Sequence, residues 1–123
     1  MKSKEHIWKH VGGPPFTGRK DSQYAEYREI QKETGVSPDE TASLELVTSL
    51  FLLPRLKMFR DEVEGRCTPC CFKNNKEWIV EIDKMIDAFS LIAENKETYT
   101  KEEKARVDEG LNSFREYYFA LWW

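Results

Sequence analysis

Apolar residues recur at alternating steps of four and three in two segments of the second half of the chain. The first row is Trp78, Ile82, Met85, Phe89 and Ile92, and the second is Val107, Leu111, Phe114, Tyr118 and Leu121. This spacing places each row along one face of an α-helix. The polar link at 95–99 is too short for anything but a tight reversal. The two segments are therefore predicted to form an antiparallel helical hairpin.

Both helices of this hairpin carry signals for their first residues. The first is predicted to begin near Asn74 or Asn75. The second opens with Thr100-Lys101-Glu102-Glu103, which is the pattern of a capping box. In that box the threonine oxygen accepts a backbone N–H of the first turn, and the glutamate side chain reaches back to the N–H of the threonine.

The first half of the chain predicts a short helix and the start of a longer one. Asp21 is a suitable N-cap residue for a helix over 22–34, and Gly35 is a suitable stop. Ser37-Pro38-Asp39-Glu40 then predicts a second capping box, with proline at the first helical position.

The longer helix that follows is apolar on more than one face. Its apolar rows are Leu44, Val47 and Phe51 on one side and Leu46, Leu50 and Leu53 on another. A helix of this kind must be covered nearly all round, so it is predicted to be central or to lie at a subunit contact. Pro54 lacks an N–H and clashes with the preceding turn, which predicts a kink. The helix continues to about Val63, and Gly65 ends it.

The predicted fold class is all-α: a small bundle of about four helices behind an extended arm rich in glycine and proline. No segment has the alternation of a strand, and no internal repeat is present. The domain prediction is a basic N-terminal arm at 1–20 and a helical domain at 21–123. Five lysines and arginines against one glutamate give the arm a charge of +4, so with a net charge of −3 the remainder carries −7.

The arm contains the stretch HVGGPPFTGRK at 10–20, which has two interpretations. In the first, the backbone N–H groups of the glycines form an anion-binding nest. Arg19 and Lys20 then neutralise a phosphate, and Trp8 or Phe16 stacks on a base. Alternatively, the two prolines form a polyproline strap laid over the helices. No phosphate-loop order is present, which favours the strap as the structural role. The candidate ligand-binding residues are Trp8, His10, Phe16, Arg19 and Lys20.

All three cysteines, Cys67, Cys70 and Cys71, lie within five residues. They are weak candidates for a metal site completed by His6 or His10, because structural zinc sites show two separated ligand pairs and only one cluster is present. Free thiols in an interhelical loop of a protein from a reducing cytosol are the favoured interpretation. No cofactor is expected.

Catalytic signals are few. Both histidines lie in the arm, and no nucleophile elbow, phosphate loop or zinc-protease pair is present. The acidic and basic residues of the third helix, Glu77, Glu81, Asp83, Lys84 and Asp87, have the spacing of a solvated helix face. The chain is therefore predicted not to be an enzyme.

The last seven residues include five aromatic ones, more than one helix face can hide in so small a core. Tyr118 and Leu121 follow the apolar row, so the others are predicted to be covered by the arm or by a second subunit. A homo-oligomer, most simply a two-fold dimer, is predicted. The candidate interface residues are Leu46, Leu50, Phe51, Tyr117, Phe119, Trp122 and Trp123.

Charge and hydropathy argue against several classes of protein. A net charge of −3 argues against a basic duplex-DNA-binding module. No apolar run approaches the roughly 18–20 residues that a membrane span needs, and the N-terminus has no apolar signal region. A cytoplasmic protein that does not bind membranes is expected.

The sequence resembles small uncharacterised accessory proteins of tailed bacteriophages. The residues that carry the resemblance are His10 with GGPP at 12–15, FLLPRLKMF at 51–59, IDKMIDAF at 82–89 and the segment 109–122. The resemblance implies a phage protein made in the cytoplasm of a host bacterium. It implies no activity and no site residues.

These observations together predict a non-catalytic protein of host takeover or counter-defence that acts by stoichiometric binding. In one version an oligomer sequesters a small anionic ligand of the nucleotide type. In the other, the helical surface docks on a host protein and blocks it. A metal-dependent hydrolase and a structural component of the virion are the remaining hypotheses.

Overall fold

The structure, a computed structural model, describes residues 22–123, and the predictions made for the arm and for Asp21 lie outside this range. The described residues form four α-helices, two short 3-10 helices and no strand, which confirms the all-α class. The α-helices are α1 (Ser22–Thr34), α2 (Leu44–Val63), α3 (Asn75–Ala93) and α4 (Lys101–Glu116), and the 3-10 helices are Pro38–Ser43 and Tyr118–Ala120.

The chain divides into two compact units, the first ending at Val47 and the second spanning Thr48–Trp123. Within the first unit, α1 ends as predicted: Gly35 has a positive φ of 84°, and its N–H donates to the carbonyl of Gln31 at 2.8 Å. Glycine adopts this left-handed conformation without the steric cost that a side chain brings.

The capping box predicted at Ser37 is wrong. The Ser37 side chain makes no capping hydrogen bond to the first turn. Its carbonyl instead accepts the N–H of Glu40 at 3.0 Å, and the Thr41 hydroxyl donates to the carbonyl of Pro38 at 2.6 Å. These short-range bonds favour the tighter 3-10 helix, because a hydroxyl that binds a nearby carbonyl competes with the α-helical pattern. The α-helix therefore begins only at Leu44.

Within the second unit, α2 continues through Pro54 to Val63. The guanidinium of Arg55 donates to the carbonyl of Phe51 at 2.7 Å and lies 3.8 Å from the centre of the Phe51 ring. Arg55 thus covers one face of the Phe51 ring, and Phe51 is half-buried. Gly65, with a φ of 73°, follows the end of α2 as predicted.

The core of the second unit is built around α3. Trp78, Ile82, Met85 and Phe89 are buried, which confirms the predicted row, while Ile92 is half-buried at its edge. Leu56 and Val63 of α2 complete the buried cluster together with Ile79. Burying a large apolar side chain of this kind contributes roughly 1.5–3 kcal/mol, so α3 supplies most of the hydrophobic stabilisation of this unit.

The α3–α4 pair is the predicted antiparallel hairpin. Arg106 near the start of α4 donates to Asp87 at 2.9 Å, and Ser113 near its end donates to Glu81, earlier in α3, at 2.6 Å. Between these two contacts, Gly110 lies directly against the backbone of Lys84.

The apolar row predicted for α4 is wrong at two positions. Leu111 is 38% exposed and Tyr118 is 56% exposed, whereas Gly110 and Ser113 are the buried residues of the helix. The face of α4 that contacts α3 is thus rotated by about one residue from the predicted one. The close approach of the two backbones at Gly110 sets this rotation, because only the side without a Cβ can lie there.

The start signals in this unit are confirmed. In α4 the Glu103 N–H donates to the Thr100 hydroxyl at 3.1 Å, and the Thr100 N–H donates to the Glu103 carboxylate at 2.9 Å. In α3 the Asn74 side chain accepts the N–H of Glu77 at 3.0 Å. Each cap satisfies a backbone donor that the helix itself leaves unpaired.

The capping glutamate gives stability a dependence on pH. The Lys96 ammonium and the Thr100 N–H lower the pKa of Glu103 to about 2, from an ordinary value of 4.5. A depressed folded pKa means that the contribution is complete above about pH 4.5 and is lost as pH falls towards 2. Glu103→Gln retains the capping geometry but cannot be protonated, so we expect the free energy of unfolding to decrease less between about pH 4.5 and 2. Urea unfolding at a series of pH values measures this decrease.

Glu102→Gln is the matched control for this prediction, since it removes a carboxylate from the same helix turn. The control should retain most of the acid dependence of the natural chain. An equal flattening by both substitutions would contradict the role assigned to Glu103.

Candidate functional site

One pocket of the second unit lies between the cysteine loop and the C-terminal residues. It has a volume of about 530 Å³ and is lined by residues 66–70 on one side and by Trp78, Phe119, Ala120, Trp122 and Trp123 on the other. This volume is in the range of pockets that hold small molecules or a partner's side chains. Three predicted interface residues and two of the three cysteines thus lie around one cavity.

The loop side of the pocket is held by the side chain of Asn75. Its oxygen accepts the N–H of Gly65 at 2.6 Å, and its amide nitrogen donates to the carbonyls of Val63 at 2.9 Å and Cys67 at 2.8 Å. The same nitrogen lies 3.0 Å from the Thr68 hydroxyl. One residue at the start of α3 therefore fixes both the end of α2 and the first half of the loop.

Trp78, which lines the pocket, belongs to an aromatic cluster. Trp78 is buried, and its ring lies 5.2 Å from that of Phe72 and 5.8 Å from that of Tyr117, while Phe72 and Tyr117 are 4.9 Å apart. Burial, together with the charges of Glu116 and Glu81, raises the pKa of Tyr117 above 10, so the phenol is neutral. Tyr117, predicted as an interface residue, thus lies within this cluster.

The outer wall consists of aromatic side chains that project into solvent. Phe119 is 92% exposed, Trp122 is 75% exposed and Trp123 is 65% exposed. The guanidinium of Arg66 lies 5.7 Å from the centre of a Trp123 ring, within the distance of a cation–π contact. Arg66 is also paired with Glu62, so its charge is neutralised locally.

A second, smaller groove lies on the other side of the C-terminal residues. It has a volume of about 190 Å³, and Tyr118 and Leu121 line it opposite Leu52, Phe59 and Phe114. Three residues per turn in the 3-10 helix Tyr118–Ala120 place Tyr118 and Leu121 on the side of this groove, while Phe119 and Ala120 line the larger pocket. The C-terminal segment thus presents aromatic groups to both cavities.

The metal interpretation of the cysteines has no support from the described residues. Cys67 is half-buried, Cys70 and Cys71 are exposed, and all three are free thiols. Within 22–123 no group of three histidine, cysteine or carboxylate side chains has the geometry to hold a metal ion. His6 and His10 lie outside the described residues.

The acidic residues of α3 are engaged in contacts between and within helices. Asp83 accepts from Arg60 at 3.2 Å, Asp87 accepts from Arg106, and Lys84 contacts Glu81 at 3.0 Å. Burial raises the pKa of Glu81, but hydrogen bonds from Ser113 and Lys84 outweigh it, so the pKa lies below its ordinary value of 4.5. Glu81 is therefore an ionised structural acceptor at neutral pH.

The remaining sequence-predicted residues are distributed as follows. Leu50 is exposed on α2 and Leu46 is half-buried near the start of that helix. The candidate ligand-binding residues Trp8, His10, Phe16, Arg19 and Lys20 lie outside the described range. Arg66 and Trp78 also line the pocket, although the sequence does not predict them as site residues. Trp78 is part of a regular apolar row, and the sequence around Arg66 has no signal that would distinguish it.

No protein-family model, no curated protein and no solved structure matches the chain. Among the helices at 22–123, none combines the length and apolar character needed to cross a bilayer.

Proposed function

We propose that the chain is a non-catalytic protein that acts by stoichiometric binding, and that it docks on a partner protein through Phe119, Trp122 and Trp123. The observation that carries this proposal is the exposure of all three rings beside a cavity. Tryptophan and other large aromatic residues provide much of the binding energy at protein interfaces, where they fill pockets of the partner. Three such rings clustered in solvent are costly unless a partner covers them.

The anchoring of the C-terminal segment supports the same proposal. Tyr117 is fixed against Trp78 and Phe72, and Leu121 packs against the core. The exposed rings are therefore attached to a packed scaffold, and docking them costs less conformational entropy than docking a free tail. The cavity of about 530 Å³ beside them offers a place for a side chain of the partner.

The proposed context is a phage accessory protein that blocks a host protein in the bacterial cytoplasm. This part rests on the resemblance of the sequence to such proteins. The competing version, sequestration of an anionic nucleotide, uses Trp8, His10, Phe16, Arg19 and Lys20, which lie outside the described residues. The pocket beside the C-terminus is less suited to an anion, because Arg66 is already paired with Glu62.

The test begins with the full chain as bait in a bacterial extract, identification of the bound protein, and titration of the two purified proteins by calorimetry. We expect one-to-one binding that weakens about 30-fold or more when Trp122 and Trp123 are both replaced by alanine, as for a hot spot of about 2 kcal/mol. Met58→Ala is the matched control, since Met58 is 68% exposed on α2 and lines neither cavity. Equal affinities for the double variant and the control would refute the docking surface.

Two further measurements separate the alternatives. A nucleotide at 100 times its dissociation constant stabilises its receptor by about 2.7 kcal/mol, so a melting shift with a nucleotide panel would favour sequestration. Light scattering gives the oligomeric state. A dimer that becomes monomeric on Trp122→Ala would reassign the same surface from a host protein to a second copy of the chain, as the predicted homo-oligomer requires.

A further inference from the structure

The loop between α2 and α3 holds every thiol of the chain. Cys67, Cys70 and Cys71 are the three cysteines of the sequence, so an intrachain disulfide can form only within this loop. Cys67 and Cys70 are separated by Thr68 and Pro69, which is the Cys-x-x-Cys spacing of dithiol redox sites. Both residues line the pocket of about 530 Å³, whereas Cys71 does not.

We infer that Cys67 and Cys70 form a redox-active dithiol that undergoes exchange with low-molecular-weight disulfides. The inference does not depend on the proposed docking function. It rests on the shared pocket, on the different exposure of the two thiols and on the hydrogen bonds that fix the loop around them.

The backbone on either side of the pair is fixed. The Cys67 N–H donates to the carbonyl of Val63 at 3.1 Å, and the Cys67 carbonyl accepts from Asn75 at 2.8 Å. Beyond it, the Phe72 N–H donates to the carbonyl of Pro69 at 3.1 Å, which closes a tight turn around Cys70 and Cys71. The two thiols of the pair are thus held in one short, hydrogen-bonded loop.

The exposure of the two thiols assigns their roles. Cys70 is exposed and can meet a disulfide from solution, while Cys67 is half-buried and packs against the core. The Cys70 thiolate attacks one sulfur of the small disulfide, forms a mixed disulfide and releases one small thiolate. The Cys67 thiolate then attacks the Cys70 sulfur, forms the Cys67–Cys70 bond and releases the second small thiolate. The protein loses two thiol protons and is oxidised, and the small disulfide is reduced to two thiols.

The test uses the full chain, reduced and then incubated with excess oxidised glutathione under native conditions. Intact mass and peptide mapping should show a monomer with the disulfide between Cys67 and Cys70, whose exposed Cys71 is either free or carries one glutathione. Cys71→Ser should give the same disulfide with a loss of two hydrogen atoms and no adduct. In the Cys71→Ser background, Cys67→Ser should stop at a stable glutathione adduct on Cys70. In the same background, Cys70→Ser should react about tenfold more slowly, because the half-buried Cys67 thiol is then the one that must attack first.

The same incubation in urea, where the loop is unfolded, is the structural control. It should give a mixture of pairings and adducts. The inference would be overturned by a native product that matches this mixture or consists only of glutathione adducts. A protein disulfide that includes Cys71, or one that links two chains, would also overturn it. Far-UV circular dichroism of each serine variant establishes that the fold is retained.

Discussion

Replacing Gly110 by alanine should lower the free energy of unfolding by about 3 kcal/mol, at the upper end of what overpacking costs. A Cβ built at this position lies 2.2 Å from the carbonyl oxygen of Lys84 and 2.4 Å from the Cβ of Ala88. Both atoms belong to α3, and the oxygen is part of its backbone, so neither can move aside as a flexible side chain would. The two helices must separate, which loosens the packing of α4 against α3. Urea unfolding of the full chain measures the loss.

The sign of this effect is itself informative. In an exposed helix interior, alanine is more stable than glycine by about 1 kcal/mol, so propensity alone predicts that Gly110→Ala stabilises the protein. Asn112→Ala provides the matched control, because Asn112 is an exposed residue of the same helix. The control should leave stability unchanged or raise it slightly. A Gly110→Ala variant at least as stable as the natural chain would contradict the close helix contact.

Gly110 also explains why the sequence predicted α3 better than α4. In α3 the apolar row is made of large side chains, so the spacing identifies the buried face directly. In α4 the contact face is made of Gly110, Ser113 and Phe114, two of which carry no apolar signal. Periodicity counts apolar residues and gives no weight to a glycine that permits a close approach. Periodicity therefore predicts Leu111 on the buried face, whereas the structure leaves it exposed.

At the C-terminus, apolar periodicity also fails to predict which residues are buried, but for a different reason. The predicted row assumed that α4 continued to Leu121, but the helix ends at Glu116 and a 3-10 helix follows. The change of pitch directs Tyr117 to Trp78 and leaves Tyr118 exposed. The surplus of aromatic residues predicts rings that the core of the chain itself does not hide, and Phe119, Trp122 and Trp123 are such rings. It could not predict which cavity they would line, since the position of the cysteine loop depends on packing between α2, α3 and the C-terminal segment.

The caps were predictable to the extent that their chemistry is local. Thr100 and Glu103 satisfy each other's backbone donors within one turn, and the sequence pattern is sufficient to show it. The same pattern at Ser37 failed because the short bonds of the 3-10 helix compete with it. For Asn75 the sequence predicts only a possible helix start. In the structure its side chain also connects the end of α2 to the pocket loop.

Replacing Asn75 by alanine is expected to destabilise the protein by about 2 kcal/mol, because it leaves several backbone groups without a partner. The lost partners are the Gly65 N–H and the carbonyls of Val63 and Cys67. Lys76→Ala is the matched control, an exposed neighbour in the same helix turn, and it should change stability little. Urea unfolding at pH 7 compares the two.

Asn75→Asp separates the donor role of this side chain from its acceptor role. Aspartate keeps the oxygen that accepts the Gly65 N–H, but at neutral pH it presents a second oxygen to the carbonyls of Val63 and Cys67. Repulsion raises the folded pKa of this carboxyl above its unfolded value of about 3.9. The loss of stability is therefore complete above the folded pKa of this carboxyl. It decreases as pH falls through the folded pKa, because the protonated acid regains one donor. A penalty that stays constant from pH 7 to acid would show that the two carbonyls do not depend on the amide of Asn75.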